Sequence, residues 1–434
     1  VLTQEEFKVK SLGERLYDSP LRTVGGPPLP FVAEDARVPV GLVAGTAEAS
    51  LTLERAGPSA RLFFDPSRTR AAILTTGGLC PGLNNVVRTM VLELHHRYGV
   101  REIFGIPYGF EGLNPSVGLP WVTLGPEQVR NIHRLGGSFL GVSRGKQDLA
   151  VMADMLQRER IDMFFVIGGD GTLKGAHALY GELEKRGARI AVVGVPKTID
   201  NDVAFVDKTF GYDTAVEMAR LAVDTAHAEA SGARNGVGLV KLMGRDSGFV
   251  AAAAAVASEE TNFCLVPEVP FELEGPHGLL AALEQRLKAR NHAVIVVAEG
   301  CGAALASATA EHDASGNLRY ASAEADIGPQ LRGAITAHFK HLGLPITVKY
   351  IDPSYMIRSV PANSSDSIFC NSLARHAIHA GMAGRTDVMI GRLHRVFTHV
   401  PLPLATGTRK RLEPNGELWQ SVLETTGQPS LVSG

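Results

Sequence analysis

Two uninterrupted apolar runs, Met163-Phe164-Phe165-Val166 and Ile190-Ala191-Val192-Val193-Gly194-Val195, each break off into a loop built around glycine or carboxylate. Runs that are apolar at every position belong to strands covered on both faces. Where such strands are separated by helix-period patterns, the arrangement that buries them all is a parallel sheet with helices on both sides. The loops are Ile167-Gly168-Gly169-Asp170-Gly171-Thr172 and Pro196-Lys197-Thr198-Ile199-Asp200-Asn201-Asp202. Open α/β sheets bind ligands at the carboxyl ends of their strands, so these loops are the first place to look for chemistry.

Their composition suits metal-assisted phosphoryl transfer. Glycine lets the backbone approach phosphate oxygens with no side chain in the way. A polyphosphate donor needs a divalent ion to relieve repulsion among its oxygens, and Asp170, beside glycine N–H groups, is the metal candidate. An acceptor hydroxyl needs a base, and the transferred group needs positive charge and a hydrogen-bond donor. Asp200, Arg245 and Thr198 fill those parts, while Asp202 reads as the residue that orients the loop.

Before residue 70, Ser19-Pro20, Gly25-Gly26-Pro27-Pro28-Leu29-Pro30 and Gly57-Pro58 interrupt every long periodicity, which predicts an arm of short pieces and turns packed on the body. Alternating strand and helix patterns start at Arg70. The first glycine loop, Gly77-Gly78-Leu79-Cys80-Pro81-Gly82-Leu83-Asn84, runs into a helical pattern over 86–96. It reads equally as a phosphate site at a helix N-terminus or as a tight strand-to-helix turn. A second loop, Gly136 to Lys146, carries Arg144 and Lys146. Taken alone these are solvated surface charges, and next to the other loops they suit polyphosphate.

A long helix is expected over 215–230, closed by Ser231-Gly232-Ala233-Arg234-Asn235-Gly236, where the chain crosses into a second α/β series. The strand candidates of that series are 237–242, 263–266, 293–298 and 346–351. Met243-Gly244-Arg245, Ala298-Glu299-Gly300 and Tyr355-Met356-Ile357-Arg358 each lie just beyond a strand pattern. Each alone reads as ordinary surface, and together they would form one polar pocket. A helix over 364–380 and a strand over 387–390 return to the first series.

At 434 residues the chain has room for two or three domains at about 150 residues each. A net charge of −2 with 20% charged residues gives no basic surface for nucleic acid, and the longest apolar run, Gly248 to Ala257, falls short of the ~18 residues of a membrane span. Cys80, Cys264, Cys301 and Cys370 lack paired spacing, so neither a zinc site nor a disulfide framework is expected. Reduced thiols and the absence of a signal pattern at the first residues point to the cytoplasm.

Gly-Gly-Asp-Gly-Thr at 168–172, Pro-Lys-Thr-Ile-Asp-Asn-Asp at 196–202, Met-Gly-Arg at 243–245 and the 77–84 loop together resemble the 6-phosphofructokinase family. The 168–172 motif alone also occurs in nicotinamide-nucleotide and lipid kinases; the 196–202 motif is the specific one. The stretches 235–249 and 349–359, with the N-terminal arm, are similar to the plant and trypanosomatid ATP-dependent branch.

The resemblance implies two Rossmann-like parallel-sheet domains of the phosphofructokinase fold plus an N-terminal extension. Its expected boundaries are an arm over 1–69, a nucleotide-binding domain over 70–231 completed by 381–404, a sugar-phosphate-binding domain over 232–380 and a tail over 405–434. It also implies an enzyme that moves the ATP γ-phosphoryl group to the 1-hydroxyl of fructose 6-phosphate, with Mg2+ held through Asp170 and Asp200 as base. The sugar would be held by Thr198, Ile199, Asp200, Met243, Gly244, Arg245 and Glu299, and its 6-phosphate end by the 355–358 stretch through Tyr355 and Arg358. Gly78, Arg144, Gly145, Gly169, Asp170, Gly171, Thr172 and Lys197 would line the donor.

A homo-oligomer, dimer or tetramer, is expected. Where the short bacterial pattern has arginines reaching across from a neighbouring subunit, this chain has Gly236 and Lys349, which puts that sharing in question. Lys197 stands where ATP-using bacterial members have glycine and accompanies both donors. Pyrophosphate use goes with aspartate at the position of Gly171, because a carboxylate there fills and repels the α-phosphate position. The same chemistry driven by pyrophosphate is the nearest alternative, and a catalytically silent sensor of nucleotide or sugar phosphate is the alternative from another class.

Overall fold

The computed structural model describes residues 2–22, 31–43, 45–302, 310–312, 318–320 and 326–433; the Gly25–Pro30 break lies outside them. Two sheets carry the fold. In chain order the strands are β1 (Arg37–Pro39), β2 (Thr52–Arg55), β3 (Arg70–Thr75), β4 (Glu102–Ile106), β5 (Val122–Thr123), β6 (Met163–Gly168), β7 (Ala191–Pro196), β8 (Gly236–Leu242), β9 (Phe263–Leu265), β10 (His292–Ala298), β11 (Thr347–Ile351), β12 (Val388–Leu393) and β13 (Val396–Pro401). The large sheet runs β1-β2-β13-β12-β7-β6-β3-β4-β5 and the small one β9-β10-β8-β11.

The small sheet is parallel throughout. In the large one β12, β7, β6, β3 and β4 are parallel, with antiparallel strands added at each end. The reason lies in the side chains. Along β6, Met163, Phe165 and Ile167 enter the hydrophobic cluster on one face, while Phe164 and Val166 enter the cluster on the other; Ala71 and Ile73 of β3 separate from Ala72 and Leu74 in the same way. A strand with both faces buried needs apolar residues at every position.

Helix α1 (Leu83–Leu92) follows β3, α2 (Asp170–Lys185) follows β6, and α3 (Tyr212–Ser231) leads from the large sheet to the small one. The buried stripe of α3, Ala215, Ala219, Val223, Ala226 and Ala230, recurs at helical spacing and is small, so α3 lies close against β8. A Cβ on Gly236 would come within 2.0 Å of the Ala230 carbonyl oxygen, and one on Gly238 within 2.7 Å of that of Ala226. Gly236 therefore has no room for an arginine.

Helix α4 (Phe249–Ser258) follows β8, α5 (Ser354–Ser359) follows β11, and α6 (Ser364–Met382) returns the chain to the large sheet. The N-terminus of α3 has only Gly211 as its cap, with φ +87°. Its free N–H groups are met from α6: Asp366, fully buried, accepts from Gly211 N at 2.9 Å, Thr214 N at 2.7 Å and Thr214 Oγ1 at 2.6 Å.

Two segments expected as attachments are built in more deeply. The first 69 residues supply β1 and β2, which join the large sheet only through β13, and Lys10–Ser11 pairs with Arg385–Thr386. The strand pattern over 387–390 is longer than expected and forms a hairpin, β12 with β13. Beyond it the chain crosses to the small sheet, where Trp419 and Val422 of α7 (Glu417–Thr426) are buried and Gln428 bonds both backbone groups of Cys264 in β9. Among the described residues no helix is long and apolar enough to cross a membrane.

Candidate active site

Asp170 is the first residue of α2, set directly after β6 with Gly169 as its cap. The turn is tight because Thr172 folds back on Gly168: a Cβ there would fall 2.3 Å from the threonine methyl carbon. The first-turn N–H groups of a sixteen-residue helix thus face the strand ends, an anion-attracting arrangement. Gly169, Asp170, Gly171 and Thr172 all line a cavity of about 710 Å³.

The 196–202 loop forms the cavity floor. Lys197 is 6% exposed; its N donates to Gly168 O at 2.9 Å, and its Nζ donates to Gly78 O. Burial lowers the Lys197 ammonium to about 8, with Arg144 and Arg358 pushing the same way and Cys80 and Asp200 opposing. Thr198 Oγ1 accepts from Asp200 N at 3.0 Å and donates to Asp202 Oδ1 at 3.1 Å. Asn201 turns the chain with φ +54° and accepts from Thr209 N at 3.1 Å, while Ser247, reaching over from the small sheet, donates to Asp200 O at 2.9 Å.

So held, Asp200 keeps Oδ1 buried with no hydrogen-bond partner. Burial raises its carboxyl to about 7, followed by the charges of Asp202 and Glu299, with Arg245 opposing. A base that titrates near neutrality and has a bare oxygen is equipped to take a proton.

The small sheet supplies the opposite wall. Gly244 has φ +127° and carries its bend so close to Ser247 O that a Cβ would lie 2.3 Å from it. This bend places Met243 and Arg245 on the cavity, with Glu299 after β10; Arg245 Nε donates to Glu299 Oε1 at 3.1 Å. Gly244 itself does not line the cavity; its carbonyl accepts from Gly300 N at 2.9 Å.

Of the 355–358 stretch, only Arg358 lines the cavity, with its guanidinium 4.7 Å from the Tyr355 ring centroid. Tyr355 and Met356 face out, 76% and 65% exposed, and Ile357 is fully buried in the apolar core. A single helical turn spreads four successive side chains over all its faces, so the candidate set narrows to Arg358 here, with Tyr355 behind it.

The donor side agrees more closely with expectation. Gly78, Arg144, Gly145, Lys197, Thr198, Ile199 and Asp200 are all on the cavity. A Cβ on Gly78 would sit 3.6 Å from Arg144 and 3.7 Å from Arg358, so the two arginines flank one glycine. The first residues of α1, in contrast, do not line the cavity, which residues 76–80 line instead; Asn84 accepts from Phe139 N at 2.7 Å and donates to Leu135 O at 3.0 Å.

Asp246 and Arg409 were not foreseen. Arg409 follows the large sheet's last helix, in Gly407-Thr408-Arg409-Lys410-Arg411, a stretch indistinguishable by composition from a solvated basic surface. Its guanidinium meets Asp170 at 3.2 Å, Asp202 at 3.6 Å and Asp246. Lys174 Nζ reaches the same Asp170 Oδ2 at 2.9 Å, so cations already draw on these hard oxygen donors, the ligand type that magnesium takes. Among the described residues no trio of His, Cys, Asp and Glu is placed to hold an ion by itself.

Strand-end loops of the two sheets close on one cleft that gathers glycine backbone, carboxylates and arginines, an arrangement suited to a phosphotransferase. A sequence profile of the phosphofructokinase family matches residues 70–381. The chain belongs to that family. It is 45% identical to the ATP-dependent 6-phosphofructokinase of Borreliella burgdorferi, over 98% of this chain and 97% of that protein. Against the enzyme of the same name from Amycolatopsis methanolica it is 47% identical, over 98% and 95%. The Trypanosoma cruzi enzyme is 41% identical over 98% and 88%. In fold it is similar to a pyrophosphate-dependent phosphofructokinase from Marinobacter aquaeolei, TM-score 0.67 at 17% identity over 83% and 92% of the two chains.

Proposed function

We propose that the chain is an ATP-dependent 6-phosphofructokinase, carrying the γ-phosphoryl group of ATP to the 1-hydroxyl of fructose 6-phosphate in glycolysis. The observation that carries this is Asp200, a carboxyl raised to about 7 with one buried, unpartnered oxygen, set between Thr198 and the Arg245–Glu299 pair. Asp200 takes the 1-hydroxyl proton, Thr198 fixes the base through its backbone N–H, and Arg245 offers positive charge to the transferring group. Magnesium bound at Asp170 supplies neutralisation of the donor oxygens. Arg358 anchors the 6-phosphate, and Lys197 with Arg144 faces the donor phosphates.

ATP is the donor because Gly171 is exposed on the cavity and carries no carboxylate. Production of fructose 1,6-bisphosphate, measured side by side with ATP and with pyrophosphate, tests this. Faster turnover with pyrophosphate at saturating magnesium would replace the donor, and none with either would leave a silent sensor.

We place two lobes at 70–231 and 232–363; the boundary expected at 380 moves because α6 packs on α1 and β7 and returns to the first lobe together with β12 and β13. The site shares residues from both sheets, as Ser247 on Asp200 illustrates. We further propose a homo-oligomer, supported by the apolar side chains left on α5 and α6, where Tyr355, Met356 and Ile368 are 76%, 65% and 71% exposed; light scattering reads its size. Lys349 pairs within its own chain, with Glu229 at 3.2 Å. Four buried free cysteines suit a reducing compartment, which we take to be the cytoplasm.

A further inference from the structure

We infer that Arg409 is an internal counter-cation of the phosphoryl-transfer site, holding carboxylates of both sheets together in the free protein and releasing Asp170 to the metal when it arrives with nucleotide. The inference rests on the reading of Asp170 as the metal carboxylate.

The guanidinium spans the cleft. Asp170 and Asp202 belong to strand ends of the large sheet and Asp246 to the loop after β8 of the small one, and one planar group touches all three. Its two terminal nitrogens divide the work: one faces Asp170 Oδ2 at 3.2 Å, the other serves Asp202 Oδ2 at 3.6 Å and Asp246. Arginine's rigid fork suits such divided pairing, which a single ammonium cannot reproduce.

The backbone beneath it is pinned. Arg409 forms a bridge with Val203, Lys410 N donates to Asp202 O at 3.0 Å, and Lys410 Nζ donates to the carbonyls of Val206 and Asp207 at 3.1 and 2.9 Å. Two residues on, Leu412 N donates at 2.9 Å to Glu268 Oε1, which also accepts from Gly248 N at 3.0 Å, so the strap is tied to the small sheet too. Arg409 is delivered to the carboxylates by fixed structure on both sides of the cleft.

A magnesium ion on Asp170 would put two positive charges beside the guanidinium, which must then give up that oxygen. Only one of its three contacts is lost, because the second nitrogen keeps Asp202 and Asp246. A bare ion must displace Arg409 and also meet Lys174 Nζ, which donates to the same Asp170 Oδ2 at 2.9 Å and remains in every Arg409 variant, whereas an ion carried by nucleotide brings phosphate charge that compensates. The device therefore biases the site against free divalent cations.

The test is a Mn2+ titration of the nucleotide-free protein, followed by the electron paramagnetic resonance of unbound Mn2+, on the parent, Arg409→Gln, Arg409→Lys and Asp170→Asn/Arg409→Gln. Removing the guanidinium is expected to tighten Mn2+ binding about tenfold or more, the size of a close charge pair, with a smaller tightening for lysine and return to parental affinity in the double variant. A purely structural arginine would not strengthen metal binding when removed. Parental affinity in both single variants overturns the inference and leaves Asp170 standing; should glutamine prevent folding, lysine alone decides. Tight binding retained in the double variant overturns both the exchange and the assignment of Asp170.

Discussion

Asp200→Asn is expected to yield a protein that is more stable than its parent and nearly inactive, with a stability gain that depends on pH. The carboxyl is raised from 3.8 to about 7, by burial first and then by Asp202 and Glu299. Between those values the unfolded carboxyl is ionised while the folded one holds its proton. Folding takes up a proton there, so the contribution of this group to stability falls as pH rises, and the loss is complete above about 7.

The interval corresponds to about 4 kcal/mol as a ceiling; with the effective dielectric of a water-accessible cleft, on the order of 1–2 kcal/mol should be observed. Asparagine has the same shape and no charge to lose. Thermal unfolding of ligand-free parent and variant at pH 5 and pH 8.5 measures the difference, in which the titrations of groups remote from Asp200 cancel while those of Asp202 and Lys197 are altered with it. At roughly one to two degrees per kcal/mol for a chain this long, the variant should lead by a few degrees at pH 8.5 and by less at pH 5, while its kcat falls by about 10²–10⁴. A melting difference independent of pH, or a variant less stable at pH 8.5, would refute the reasoning.

Arg358→Ala should raise the KM for fructose 6-phosphate far more than that for ATP, since a guanidinium on a phosphate makes charge-assisted bonds nothing else replaces; equal losses in steady-state kinetics would show a structural role. Gly171→Asp should depress ATP-driven turnover more than pyrophosphate binding, and calorimetry that finds nucleotide affinity unchanged counts against the donor assignment. Asp366→Ala leaves three donors at the start of α3 unmet and should cost about 3 kcal/mol in chemical denaturation; a loss below about 1 kcal/mol would mean that water replaces the carboxylate.

Asp170, Lys197 and Asp200 were legible because each follows a strand whose unbroken apolar run marks its own end, and position at a strand end already implies position in the cleft. From the residues alone Arg358 was one of four neighbours, and only the resemblance singled it out with Tyr355, because the helical turn that turns Ile357 inward and Tyr355 outward is set by packing and leaves no mark in composition. Arg409 carried no local signal at all, since its meaning comes from three carboxylates more than 160 residues away in sequence. The N-terminal strands escaped for a related reason: two to four residues cannot show alternation, and β2 owes its conformation to pairing with β13.

That pairing sets a timetable for synthesis. β2 ends at Arg55, and its partner across the ladder, Thr398, leaves the ribosome about 340 residues later; at about 5–20 residues per second the wait is on the order of 20–70 s. Throughout it, β1 and β2 have no large-sheet edge to join, and once β7 is made it stays unpaired on the side that β12 will fill. The nascent chain thus carries an open sheet edge until β12 is made, the interval in which association with other chains, or shielding by a chaperone, would decide the yield of native enzyme.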